Sequence, residues 1–218
     1  MAAGTWRDPN VVVVFDPERG VGPIGRAWPP RRAVGSWALP EDAFEHRDRM
    51  ITKAEVRALV LARLGPGPGD LVWDVGAGSG SVAVECARLG AAAIAVERDP
   101  GACELIRRNA ERHDVEIEVV LGEAPDALHG LVEPDAVFVG GGGDELGRTL
   151  EFVSSRARRA VVVALASVER VVPAVAVLRD AGLDVEATML HASRLEPAGP
   201  AHRLAATNPV FVVAATRR

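Results

Sequence analysis

Short apolar runs alternate with longer segments of helical periodicity between residues 52 and 181. The runs at 71–75, 91–96, 116–121, 135–139 and 160–165 predict strands, because each is brief and apolar. Helices are predicted over 52–64, 82–89, 146–156 and 168–181, and another from Pro100 onward. The first helix should begin at Thr52, since Thr52 and Glu55 form a Thr-x-x-Glu capping box. This alternation predicts a parallel sheet covered on both faces, with ligands at the carboxyl ends of its strands.

The turn after the first predicted strand contains an Asp74-x-Gly-x-Gly-x-Gly80 motif. Glycines let the backbone approach a ligand closely, and the helix that follows offers unpaired N–H groups. The dinucleotide fingerprint G-x-G-x-x-G would need glycine at position 81, where Ser81 stands. The spacing instead matches methyltransferases that use S-adenosylmethionine. The residues predicted to hold this cofactor in the turn are Gly76, Ala77, Gly78, Ser79 and Gly80.

The tail after residue 181 breaks the alternation. Residues 183–193 and 205–216 predict two strands with no helical segment between them, so they must pair antiparallel. A mainly parallel sheet closed by an antiparallel hairpin is expected of methyltransferases rather than dehydrogenases. We therefore predict an α/β fold of the Rossmann-like, class I S-adenosylmethionine-dependent methyltransferase type, with seven strands.

Two further positions are candidates for cofactor contact. Glu97 ends the second predicted strand, where a carboxylate can accept both ribose hydroxyls. Glu123 and Ala124 lie in a turn after the third strand, where such proteins hold adenine. The simpler interpretations are a solvated carboxylate and an ordinary turn.

Four glycines, 140–143, follow the fourth predicted strand, where the group facing the transferred methyl is usually found. Neither Cys86 nor Cys103 is a candidate nucleophile, because both fall inside helical patterns and are expected to be buried free thiols. An open glycine floor suits a large, flat substrate that carries its own nucleophilic carbon, so that the enzyme contributes alignment. Candidate arginines for substrate carboxylates are Arg47, Arg49, Arg194 and Arg203.

Charge and composition narrow the possible partners. Thirty acidic against twenty-five basic residues, a net charge of −5, do not favour a nucleic-acid binder. No apolar run is long enough to span a bilayer, and the first residues lack the apolar core of a secretory signal, so we expect a cytoplasmic protein. The five histidines show no metal-ligand spacing, and we expect no metal.

Several segments together resemble the decarboxylating precorrin methyltransferases of cobalamin biosynthesis. They are 39–44 (LPEDAF), 50–57 (MITKAEVR), 73–81 (WDVGAGSGS), 122–124 (GEA) and 206–210 (ATNPV). The resemblance covers residues 37 to 216, and its specific part is the 50–57 element joined to the glycine motif. It implies methylation of carbon 15 of a precorrin-6 macrocycle by S-adenosylmethionine, with loss of carbon dioxide from the ring C acetate. It also implies a homotetramer.

The same resemblance places Thr52 on the cofactor. The residues predicted to contact the tetrapyrrole substrate are Gly140, Gly141, Arg194, His202 and Asn208. It identifies no catalytic residue; Glu123, His202 and a bound water remain candidates for the proton donor.

Residues 1–36 are predicted to be a loosely packed arm or linker, and 37–218 the methyltransferase domain. Residues 6–14 (WRDPNVVVV) resemble the last strand of a carbon-5-methylating domain that precedes this module in fused enzymes, so such a domain is expected as a separate or removed partner. Other interpretations stay open: a class I methyltransferase acting on RNA or another small molecule, a nucleotide-binding dehydrogenase, or a catalytically silent binding module.

Overall fold

The computed structural model describes residues 37–47, 51–141 and 143–217. The predicted arm 1–36 and its strand-like segment at 6–14 lie outside these residues. The helices are α1 Ala54–Leu64, α2 Ser81–Arg88, α3 Pro100–Arg112, α4 Leu146–Arg156 and α5 Val171–Asp180. The strands are β1 Leu71–Val75, β2 Ala92–Glu97, β3 Glu118–Leu121, β4 Ala136–Gly140, β5 Ala160–Leu165, β6 Asp184–Leu190, β7 Ser193–Ala198, β8 Ala201–Ala206 and β9 Val210–Thr216.

Seven of these strands form one sheet in the order β3-β2-β1-β4-β5-β9-β6. Strands β1 to β5 are parallel, whereas β9 runs antiparallel between β5 and β6. The predicted mainly parallel, seven-stranded sheet with an antiparallel end is confirmed. Because the strand order reverses between β1 and β4, a crevice opens at the carboxyl ends of these two strands, where ligands of open α/β sheets bind.

Helices cover both faces of the sheet, and the central strands are therefore buried and mainly apolar. All five residues of β1 are buried. Trp73 packs with residues of α4 and α5 on one face, while Val72 packs with α1 and α2 on the other. Ile106 of α3 covers the alanines of β2. No helix in the described ranges is both long and apolar enough to cross a membrane.

The predicted capping box at the start of α1 is wrong. The helix begins at Ala54, and Lys53 at the N-cap position makes no side-chain cap. The Glu55 carboxylate turns away to the Arg194 guanidinium, 2.6 Å distant, and Glu41 from another segment accepts the Ala54 N–H at 3.2 Å. Glu55 therefore forms a charge-assisted pair with Arg194 in place of the capping-box hydrogen bond to the Thr52 N–H.

The tail also differs from its prediction, because it holds four strands instead of two. Strands β6 and β9 pair antiparallel as expected, but β7 and β8 form a separate two-stranded sheet between them. Gly199, at a φ of 62°, lies in the turn that joins β7 to β8. Arg194 and Arg203 therefore lie on the strands of this hairpin rather than beside the turn between β6 and β9. The segment predicted as a helix from 168 begins as a 3₁₀ turn before α5.

Candidate cofactor site

The turn between β1 and α2 is built from glycines that no other residue could replace without strain. Gly76, Gly78 and Gly80 have φ values of 70°, 55° and 72°, the left-handed region. Gly76 also meets the end of β4, since a Cβ on it would lie 3.0 Å from the Gly140 carbonyl oxygen. A Cβ on Gly140 would lie 2.8 Å from the Gly76 carbonyl oxygen. The two strand ends therefore approach closely only because both residues are glycine.

Glu97, at the end of β2, ties the glycine turn to the loop that follows its own strand. Its Oε2 accepts the Gly78 N–H at 2.9 Å, and its Oε1 accepts the N–H groups of Arg98 and Asp99 at 2.9 and 3.0 Å. A carboxylate offers about four lone-pair positions, so capacity remains for a ligand hydroxyl. Glu97 thus lies where a ribose-binding carboxylate was predicted.

Asp74 caps α2 from the neighbouring strand. The helix starts after Gly80, which has no side chain to cap it, and Asp74 Oδ2 accepts the Ala83 N–H at 2.9 Å. Asp74 is fully buried, and its Oδ1 has no hydrogen-bond partner among the described residues. Burial raises the pKa of Asp74 to about 7; the nearby Glu97 charge adds to the shift, while the Ala83 N–H opposes it.

A cavity of about 440 Å³ opens at the carboxyl ends of β1, β2 and β4. A nucleoside-sized ligand fits a cavity of this volume. It is lined by Arg47, Val75, Gly76, Gly78, Val96, Glu97, Arg98, Asp99, Ala102, Leu105, Gly122, Glu123, Ala124, Gly140, Gly143, Glu145 and Thr149. Of the predicted site residues, Gly76, Gly78, Glu97, Glu123, Ala124 and Gly140 are in this lining.

The charged lining of the cavity is mainly acidic. Four carboxylates, Glu97, Asp99, Glu123 and Glu145, face two guanidinium groups, Arg47 and Arg98. Arg98 Nη1 pairs with Glu123 Oε1 at 2.9 Å, and Arg47 Nη1 with Asp99 Oδ2 at 3.2 Å. These pairs are solvent-exposed and weak, so the excess of carboxylates favours a ligand that carries positive charge.

Sequence reasoning missed the helical part of the lining. Ala102 and Leu105 lie three residues apart on one face of α3. Thr149 lies in the first turns of α4, and Glu145 is at the N-cap position of the same helix. A signal was present, because both helices begin at the carboxyl edge of the sheet, where their first turns must face any ligand. Of the candidate arginines, Arg47 lines the cavity, and Arg49 lies outside the described residues.

The other predicted residues have different surroundings. Ala77, Ser79 and Gly80 complete the glycine turn, and Gly141 follows Gly140. Thr52 is not part of the described cavity lining; its carbonyl oxygen accepts Arg57 Nη1 at 2.6 Å.

The predicted substrate residues from the tail lie on or beside the β7–β8 hairpin. His202 is exposed on β8, and Asn208 is exposed in the segment that follows it. Arg194 Nη2 contacts both Glu41 and Glu55, at 2.7 and 2.6 Å. The hydrogen bond from Arg194 lowers the pKa of Glu41 to about 2. Two carboxylates within the protein already balance the Arg194 charge.

The described residues offer no activated thiol and no group of three or more metal-ligating side chains. Cys86 and Cys103 are free and buried, as predicted. Burial raises the pKa of both thiols, so neither is a thiolate at neutral pH.

Comparison with known proteins gives a consistent result. Residues 42–217 match the family model described as "Precorrin methyltransferase domain". A "Probable cobalt-precorrin-6B C(15)-methyltransferase (decarboxylating)" from Pyrobaculum calidifontis is 38% identical over 184 residues, which cover 81% of this chain and 94% of the relative. The crystal structure titled "Precorrin-6y C5,15-methyltransferase" from Geobacter metallireducens GS-15 has a TM-score of 0.77 at 30% identity and covers 82% of this chain and 95% of its own.

A longer relative is matched only in part. The "Precorrin-6Y C(5,15)-methyltransferase [decarboxylating]" from Sinorhizobium sp is 49% identical over 110 residues. That match covers 49% of this chain and 27% of the relative. The predicted resemblance and the predicted fold class are both confirmed by these comparisons.

Proposed function

The chain belongs to the precorrin methyltransferase domain family and is a methyltransferase, and from that premise we propose its substrate and cofactor. It transfers a methyl group from S-adenosylmethionine to carbon 15 of a precorrin-6 macrocycle and releases the ring C acetate carboxyl as carbon dioxide, a step of cobalamin biosynthesis. The observation that carries the proposal is the glycine turn, tied to Glu97, beside an acidic cavity at the ends of β1 and β4.

The residues around the cavity fit S-adenosylmethionine, which supplies an electrophilic methyl group on a sulfonium ion. Glu97 would accept the ribose hydroxyls with its remaining lone pairs, and Glu123 and Ala124 would border the adenine. The backbone N–H groups of residues 76–80 would face the methionyl part. The acidic lining favours the positive sulfonium. Thr52 remains a predicted cofactor contact.

The macrocycle itself provides the nucleophile in this proposal. Gly140 and Gly141 leave the end of β4 without side chains, so a flat ring can approach the cavity. No described side chain attacks the substrate; the protein aligns carbon 15 with the methyl group and excludes water. When the acetate carboxyl leaves as carbon dioxide, its bonding electrons pass into the conjugated ring, and a proton must replace the lost carboxyl. The candidate donors are Glu123, which lines the cavity and pairs with Arg98, the exposed His202 and a bound water.

We propose a homotetramer in the cytoplasm. We also propose a carbon-5-methylating partner, separate or fused. The Pyrobaculum relative is named as a C(15)-methyltransferase, whereas the longer Sinorhizobium relative is named as a C(5,15)-methyltransferase.

Two measurements test the proposal in sequence. Calorimetry with S-adenosylhomocysteine and with NAD should show binding of the first and not of the second. Incubation with precorrin-6B and S-adenosylmethionine, followed by mass spectrometry, should then show an added methyl group and a lost carbon dioxide. Binding of NAD alone would indicate a dehydrogenase. Binding of S-adenosylhomocysteine with no mass change, while the Pyrobaculum relative converts the same substrate sample, would reject the macrocycle.

A further inference from the structure

Residues 37–47 form an N-terminal strap that contacts three helices and ends beside the cofactor cavity. At its start, the N–H groups of Ala38 and Leu39 donate to the Glu85 carboxylate of α2, at 3.1 and 2.7 Å. In its middle, the Ala43 carbonyl oxygen meets Nε2 of His113 at 2.9 Å. At its end, Arg47 is in the cavity lining. The strap therefore joins the outer helices to the cofactor site.

Asn109 of α3 bonds to the strap and the glycine turn at the same time. Its side chain is fully buried. Oδ1 accepts the Glu45 N–H at 2.7 Å, and Nδ2 donates to the Glu45 carbonyl oxygen at 2.9 Å. The same Nδ2 donates its second hydrogen to the Ser79 carbonyl oxygen at 2.8 Å. Both N–H groups of the amide are thus used, one on each segment.

The Ser79 carbonyl lies where the glycine turn passes into α2. It belongs to the peptide plane before Gly80, whose left-handed φ starts α2. Ile106, one turn earlier on α3, packs against the same place, because a Cβ on Gly80 would lie 2.8 Å from an Ile106 methyl carbon. Glu97 fixes the opposite side of the turn through Gly78. The turn is therefore held by Glu97 from β2 and by Asn109 and Ile106 from α3.

We infer that Asn109 is a positioning residue for the cofactor, and that it couples docking of the strap to the shape of the glycine turn. The inference rests on the proposed use of S-adenosylmethionine. Asn109 is not in the described cavity lining, so it acts through Ser79. Coupling of this kind is reciprocal: a ligand that favours the native turn must also favour the docked strap.

Hydrogen exchange on the unaltered protein tests this reciprocity directly. The Glu45 N–H reports strap docking, because it donates to Asn109 Oδ1. Saturating S-adenosylhomocysteine should slow its exchange several-fold. The Arg217 N–H, which bonds to the Arg159 carbonyl oxygen, is a reference amide outside the strap. If the ligand binds and Glu45 exchange does not slow beyond that of Arg217, the coupling is refuted.

Substitutions separate positioning from stability. Asn109→Asp keeps an acceptor for the Glu45 N–H but removes both donors, so the link to Ser79 is lost while the chain keeps a similar side chain. We expect S-adenosylhomocysteine to bind about tenfold more weakly, the effect of one lost buried hydrogen bond. In turnover, the KM for S-adenosylmethionine should rise by a similar factor with kcat changed far less. Asn109→Ala should weaken binding at least as much.

Two controls complete the design. Leu178→Ala removes buried side-chain volume from α5, which packs on the face of the sheet away from α1 and α2, and should lower stability with no change in affinity. Glu85→Gln weakens the first anchor of the strap and the buried pair with Arg57, neither of which contacts the turn, and should reduce affinity less than Asn109→Asp. Wild-type affinity in a folded Asn109→Asp protein would overturn the inference. Failure of the unaltered protein to bind the ligand would instead contradict the proposed cofactor.

Discussion

Glu97 is the side chain on which we expect the proposed cofactor site to depend most. It accepts three backbone N–H groups, from Gly78, Arg98 and Asp99, and faces the cavity. In Glu97→Gln one oxygen becomes an NH₂ group, which cannot accept any of these bonds. Hydrogen bonds to a charged group contribute about 1.5–3 kcal/mol, so S-adenosylhomocysteine should bind roughly ten- to a hundredfold more weakly in calorimetry.

Glu104→Gln is the matched control for that substitution, because Glu104 is exposed on α3 and pairs only with Arg107 in the described contacts. Its affinity should equal that of the unaltered protein. Equal affinities for Glu97→Gln and Glu104→Gln would refute the role given to Glu97.

We expect Asp74 to make the free energy of unfolding depend on pH. Its folded-state pKa of about 7 lies above its ordinary value of 3.8, so between these pH values the folded protein holds a proton that the unfolded chain has lost. Stability must therefore fall as pH rises through this window. Asp74→Asn removes the titration. As the pH rises through this window, the free energy of unfolding of the parent should therefore fall relative to that of the variant by up to about 1.4 kcal/mol per pH unit. Urea unfolding from pH 4 to 8 measures the difference; parallel pH profiles would exclude the effect.

Single residues were predictable where local spacing decides their role. The Asp-x-Gly-x-Gly-x-Gly spacing located a turn whose three glycines have positive φ. The prediction of a Thr52–Glu55 capping box was wrong, because Glu55 binds Arg194, which is 139 residues away in the sequence. Asn109 could not be predicted either, since its partner Ser79 is 30 residues distant. Such contacts exist only after the fold has formed.

At the scale of elements, burial determined what could be read from the sequence. Strands buried on both faces are mainly apolar runs: β5 is apolar at every position and β1 at every position except Asp74, and the bounds of β5 match their prediction. The β7–β8 hairpin was missed because most of its residues are exposed, so no core imposes a pattern on them. It also contains Pro197 and Gly199, which are typical of loops.

A buried ion pair joins α1, α2 and the strap. Arg57 Nε lies 3.2 Å from Glu85 Oε1, and both side chains are inaccessible to solvent. Glu85→Leu would leave the Arg57 charge buried without its partner, which costs about 3–5 kcal/mol of unfolding free energy. The double variant Arg57→Met with Glu85→Leu should recover a large part of that loss, as measured by urea unfolding. A double variant less stable than Glu85→Leu alone would contradict this account.

The whole-molecule architecture followed from the alternation of apolar runs and helical segments, but the strand order did not. Alternation implies parallel strands with crossover helices. It does not specify that the order reverses between β1 and β4, because that depends on which edge of the sheet each crossover takes. The location of the cavity therefore rested on the glycine motif in the sequence, whereas its walls from α3 and α4 required the structure.

The proposed tetramer makes a prediction about the β7–β8 hairpin. Leu195 and Leu204 face each other across it and are 66% and 71% exposed, although an isolated two-stranded sheet is marginally stable in water. A second copy of the chain that covers these leucines would stabilise the hairpin, since apolar patches on a surface mark contact sites. The double variant Leu195→Lys with Leu204→Lys should therefore lower the mass measured by light scattering after size-exclusion chromatography. Val172→Lys, at a residue 74% exposed on α5, should keep the parental mass. A tetrameric mass in the double variant would place the interface elsewhere, and a monomeric mass in the parent protein at all concentrations would reject the assembly.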